Sequence, residues 1–167
     1  MLKLKLFMLL LVITFSAHAQ SAREIFAPFN AHWKGVFKVY AHDGLLLNAI
    51  EVEQRYWWDG NVQRATFIEK ARDSKIVRAQ ARNYEENGKL FCAVEKDNGE
   101  QSLHLGHYED GALFWFRKEE GKIESFKEKV VQGQAGKEYH IDGFGVYGSG
   151  KDTSHLLFEG RYFQVKE

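Results

Sequence analysis

From Trp33 to Val165 apolar and polar positions alternate in short runs, and nearly every run ends at a Gly, Asn or Asp. A period of two puts successive side chains on opposite faces of an extended chain, so the pattern predicts strands with one buried face. The first runs from Trp33 to Ala41, with Trp33, Phe37 and Val39 on one face and Lys34 and Lys38 on the other. His42-Asp43-Gly44 ends it as a tight turn, since an Asp-Gly pair accommodates positive φ. In the second, Ala49 to Trp58, Ile50, Val52, Tyr56 and Trp58 alternate with Glu51, Glu53 and Arg55. Further strands are predicted over Val62 to Arg72, Lys75 to Tyr84, Lys89 to Glu95 and Gln101 to Tyr108. The last four are Ala112 to Lys118, Lys122 to Gln132, Lys137 to Tyr147 and Ser154 to Val165. Short links between them predict nearest-neighbour antiparallel pairing. Open edges invite aggregation, so such a meander closes or splits into packed layers. With no long crossover visible, the expectation is an all-β, about ten-stranded antiparallel up-and-down barrel.

Ahead of the strands, Ser21 to Phe26 predicts a short helical turn. Ser21 supplies the cap, Glu24 completes a capping box, and Pro28, the only proline, stops it. Residues 1–19 read as a signal peptide. Lys3 and Lys5 precede an apolar core from Leu6 to Phe15, and Ala17-His18-Ala19 forms a small-residue cleavage site. That core is too short to span a bilayer as a helix. The expected mature protein is one domain over residues 20–167, exported to the periplasm or beyond, with no membrane span after cleavage.

Loss of Lys3 and Lys5 leaves 21 basic against 23 acidic residues, a balance without an electrostatic footprint for nucleic acid. The lone Cys92 excludes an internal disulfide, so an exported fold depends for its core on aromatic residues, the 7 Tyr, the 4 Trp and those of the chain's 13 Phe that lie beyond Phe7 and Phe15 of the leader.

Phe29-Asn30-Ala31-His32-Trp33-Lys34-Gly35-Val36-Phe37 resembles the first strand of lipocalin-like (calycin) proteins, where a Trp and a Gly follow a short helical turn. The chain is similar to bacterial lipocalin-like domains of unassigned role. The resemblance implies that Trp33 caps one end of a barrel and that Arg161, in Glu159-Gly160-Arg161-Tyr162, packs over it. It implies a small ligand inside and carries over no catalytic residue.

Polar residues at apolar-face positions are the candidate contacts. Gln54 lies between Val52 and Tyr56, Asn83 follows Ala79 and Ala81, His107 follows Leu103 and Leu105, and Arg117 follows Leu113 and Trp115. Small residues at Ala65, Ala71, Ala79 and Ala81 leave volume for a cavity, or for a tightly packed core. Arg117 among Phe114, Trp115 and Phe116 suits a carboxylate or phosphate head, or else reaches solvent across an aromatic face. His104 and His107 point to opposite faces, while His140 and His155 approach only in one register. No spacing gives a metal site, and no motif gives a cofactor or catalytic constellation. Cys92, between Leu90 and Val94, reads as a buried small hydrophobe. Glu51 and Glu53 face solvent, and the glycines of Gly143-Phe144-Gly145-Val146-Tyr147-Gly148 allow close packing under aromatic rings.

Three functions fit these features. The first is a non-enzymatic exported protein holding a small apolar or amphipathic molecule, with Gln54, Asn83, His107, Trp115 and Arg117 as contacts. The second is an isomerase, cyclase or hydrolase on the same barrel, using His107 or His140 as acid/base. The third is an interaction module pairing through a sheet edge or an aromatic patch.

Overall fold

The computed structural model describes residues 20–73 and 75–166; the expected signal peptide lies outside them. Ser21 caps a helix α1 (Ala22–Phe26), and its side chain and that of Glu24 form the reciprocal capping box. Pro28 does not end the chain's turning but sits inside a following 3-10 turn, Ala27–Phe29. Its missing N–H costs nothing in a first turn.

Ten strands follow: β1 (His32–Ala41), β2 (Leu46–Asp59), β3 (Val62–Lys70), β4 (Ile76–Glu86), β5 (Lys89–Lys96), β6 (Gln101–Glu109), β7 (Ala112–Glu119), β8 (Lys122–Gln132), β9 (Lys137–Tyr147) and β10 (Ser154–Gln164). Each pairs antiparallel with its neighbours in sequence, and β10 returns to β1 to close the barrel. Closure leaves no free sheet edge, which removes one route to the interaction-module reading. β2 begins three residues earlier than predicted, because Leu46 already pairs with Tyr40 across a register shift.

Both faces of the wall carry apolar residues. Phe91, Leu105, Phe116, Ser125, Phe144 and Leu157 stand side by side on the outer face from β5 round to β10. Leu103 and Leu105 are 51% and 46% exposed. On β6 the inner face is therefore the one holding His104 and Gly106. At Gly106 a side chain would meet the Trp115 ring at 2.5 Å, so glycine there makes room for the indole. Gly145 similarly lies under the Phe158 and Tyr147 rings, as expected for that glycine cluster.

The core sits at the end of the barrel plugged by α1. Phe26, Phe29, Trp33, Leu113, Tyr139 and Tyr162 are buried there. Trp33 donates its indole N–H to the Phe29 carbonyl at 2.9 Å and meets Tyr139 edge-on. Arg161 does not pack over Trp33. It pairs across from Val36, on the outer face, where it donates to the Ile141 carbonyl and to Asp142. Tyr162, one residue on, is the side chain that points inward.

Candidate functional site: an interior cavity

Above the plug the barrel encloses a cavity of about 450 Å³, reaching from the aromatic core to the opposite rim. That volume falls in the range of small-molecule sites. Apolar and aromatic side chains dominate its wall, among them Phe37, Ile50, Phe67, Phe126, Phe158 and Ile141. Ala79 contributes wall without filling the space.

The rim is a chain of alternating charges. Lys96 bridges Glu69 at 3.6 Å and Glu100 at 3.4 Å. Lys122 bridges Glu100 at 3.1 Å and Glu124 at 3.5 Å. Arg117 continues it, 3.5 Å from Glu124 and bidentate to Glu119 at 2.6 and 2.8 Å. The Tyr147 hydroxyl donates to Glu124 at 2.6 Å. Burial alone would raise the Glu124 pKa, but His104, Tyr147 and Lys122 overcome it and hold the group at about 2. His104 Nε2 lies 3.4 Å from Glu124, outside hydrogen-bond geometry, and has no hydrogen-bond partner among the described residues.

Deeper, the polar groups are fewer and differently arranged. The Tyr56 hydroxyl donates to Gln54 Oε1 at 3.0 Å. Gln63 donates to the Phe26 carbonyl at 2.9 Å and accepts from Asn83 Nδ2 at 3.1 Å. A backbone carbonyl only accepts, so both amides are oriented from the plug upward. This leaves Asn83 Oδ1 buried with no donor among the described residues. Glu128 lines the same space. Burial is the main influence on it and pushes its pKa up to about 7, against partial stabilisation of the charged form by the Trp115 indole and the Tyr139 hydroxyl. Burial likewise raises the Cys92 thiol and the Tyr56, Tyr139 and Tyr162 hydroxyls, so all four stay protonated at neutral pH.

Of the residues singled out in the sequence, Gln54, Asn83 and Trp115 line the cavity. Arg117 and His107 do not. Arg117 is buried, but its guanidinium is consumed by Glu119, Glu124 and the Gln101 carbonyl, leaving no free face for an anionic head. His107 points outward beside Glu109, its side chain 71% exposed, because β6 has the reverse of the expected parity. His140 is not turned inward either; it pairs with Glu138 at 2.9 Å. It stands opposite Arg161 while His155 stands opposite Val146, so these histidines are not neighbours. Glu53 lies on the outer wall with His32 and Lys34, as expected. Sequence reasoning missed Glu128, Glu124, His104 and the inward tyrosines. The tyrosines were legible as apolar-face positions; Glu128 gave no signal.

No protein-family model and no curated protein matches the sequence. Solved structures do match the fold. The S-type phycobiliprotein lyase CPES from Guillardia theta superimposes with a TM-score of 0.66 over 89% of this chain and 94% of its own, at 7% identity. A de novo designed fluorescence-activating β-barrel matches at 0.42 over 87% of this chain and 100% of its own, at 8% identity. The first likeness shows a shared barrel architecture; the second is too remote to carry an argument. The cavity chemistry has to be read from this chain's own residues.

Proposed function

We propose that the protein is an exported, lipocalin-like, non-enzymatic carrier of a small, mainly apolar molecule held inside its barrel. The observation behind this reading is the cavity of about 450 Å³, walled by aromatic and aliphatic side chains and plugged at one end. Burial of apolar ligand surface there supplies affinity at roughly 25 cal/mol per Å² before the cost of association. Gln54, Asn83 and Trp115 supply directional contacts. A phycobiliprotein lyase shares the barrel, which is compatible with a ligand-holding use of the architecture. The acid/base alternative loses its residues, since His107 and His140 face outward.

Native mass spectrometry of the protein recovered from its exported state, followed by denaturing mass spectrometry, tests this reading. A co-purified small molecule released on denaturation is expected. A protein found only at its apo mass, whose tryptophan fluorescence ignores apolar probes, would overturn it.

A further inference from the structure

Among the described residues, four carboxylates line the cavity: Glu69, Glu100, Glu124 and Glu128. The first three each hold a lysine or arginine. Glu128 holds none among the described residues; what faces it is the Trp115 indole and the Tyr139 hydroxyl. Glu128 is half-buried in an apolar cavity, and a carboxylate drawn from water without a counter-charge is costly to ionise. Asn83 Oδ1 is a second acceptor in the same cavity with no donor among the described residues. Its orientation is fixed by the relay that starts at the Phe26 carbonyl. Cys92 pairs directly across from Asn83, and both line the cavity that Glu128 lines. The surrounding wall is aromatic, with Tyr56, Trp115, Tyr139 and Tyr162, and aromatic faces attract cations.

A carboxylate without a counter-charge and an amide oxygen without a donor, set among aromatic rings, ask for one complementary group, a cationic N–H donor. We propose that the cavity selects an apolar or aromatic molecule carrying a protonated amine, and that Glu128 receives the ammonium. This rests on the interior-binding reading and specifies its ligand. It reverses the sequence expectation of an anionic head: the cation meant to receive one, Arg117, is spent on Glu119, and the deep end would repel an anion.

Three probes with the same ring and arm test it by titration calorimetry at about pH 7: 1-naphthylmethylamine, 1-naphthalenemethanol and 1-naphthylacetate. The amine should bind at least about tenfold tighter than the alcohol, and the acetate weakest. Glu128→Gln should bring the amine to within about threefold of the alcohol and leave the alcohol unchanged. A second readout needs no variant. Binding an ammonium drives the proton off a half-protonated Glu128, so the amine heat should depend on the buffer's ionisation enthalpy and the alcohol heat should not. Equal affinity of amine and alcohol, or an amine preference that survives Glu128→Gln, overturns the proposal. If the alcohol binds without any amine preference, only this proposal falls. If none of the probes binds, the interior-binding reading falls with it.

Discussion

Glu124 and Glu128 leave the same strand toward the same cavity, one at the rim and one deep, and their protons respond in opposite ways. Both are penalised by burial. At the rim His104, the Tyr147 hydroxyl and Lys122 face Glu124 and hold it at about 2 against that burial. In the deep end only neutral donors face Glu128, and it rises to about 7. The rim carboxylates therefore each hold a cation, although His104 Nε2 beside them has no hydrogen-bond partner among the described residues, whereas the deep end keeps a carboxylate without a counter-charge and the undonated Asn83 Oδ1. Partners, rather than depth alone, set the outcome.

The contrast depends on a plug that keeps water from the deep end, so breaking the plug should have the largest effect. Phe26 is fully buried and stacks 6.2 Å from Trp115. Phe26→Ala is expected to cost about 3–5 kcal/mol in chemical denaturation. It should also bring the Glu128 pKa down toward the ordinary 4.5, as read by carboxyl NMR titration, while leaving Glu124 near 2.

The two carboxylates also give stability opposite pH slopes. Glu128 is raised in the fold, so between pH 4.5 and about 7 the folded state binds more protons than the unfolded one. Stability therefore falls as pH rises through that window, by up to about 3 kcal/mol. Glu128→Gln should abolish that falling limb and make the protein more stable than the parent at pH 8. Glu124 is depressed, so its contribution is present above 4.5 and lost as pH falls toward about 2. Glu124→Gln should flatten the acid limb and cost about 1–3 kcal/mol at neutral pH, discounted because the rim is partly wetted. Denaturation midpoints of the parent and both variants across pH separate the two limbs.

A subtler change should move one end alone. At Gly106 an added methyl would meet the Trp115 ring and the Leu90 side chain. Gly106→Ala is expected to cost about 1–2 kcal/mol by overpacking. By shifting the indole that faces Glu128 it should alter the Glu128 titration and spare that of Glu124.

Much of the barrel was legible because turn chemistry and period two agree along nearly the whole chain. Asp43-Gly44, Asn87-Gly88 and Asp110-Gly111 each sit where the backbone reverses, and Asn87 and Asp110 take positive φ as such turns require. Which face points inward was legible only where the two faces differ. On β2 the outer face holds Glu51, Glu53 and Arg55, and Gln54 and Tyr56 were placed correctly. On β8 both faces are mixed: Glu124, Phe126 and Glu128 point in, while Ser125, Lys127 and Lys129 point out. No hydrophobic period identifies Glu128 there, and its meaning arises only once Trp115 and Tyr139 close around it. Arg117 has the inward parity expected of it, but its guanidinium is held by Glu119, two residues on along β7, and by Glu124, which stands opposite it only through the β7–β8 pairing.

The smallest effect concerns β6, where the period misleads. Leu103, Leu105 and His107 look like a buried face because the outer wall carries its own apolar row. His107 is mostly exposed and its nearest charge, Glu109, is 3.8 Å away. His107→Ala should change stability by no more than about 0.5 kcal/mol and leave probe binding untouched. His104→Ala, on the opposite face of the same strand, removes a buried ring packed 5.9 Å from Phe126 and beside Glu124. It should cost more than His107→Ala and raise the Glu124 pKa, because one of the groups holding that carboxylate down is gone. If the two alanine variants behaved alike, the inward parity of β6 would be wrong, and with it the assignment of which groups belong to the rim.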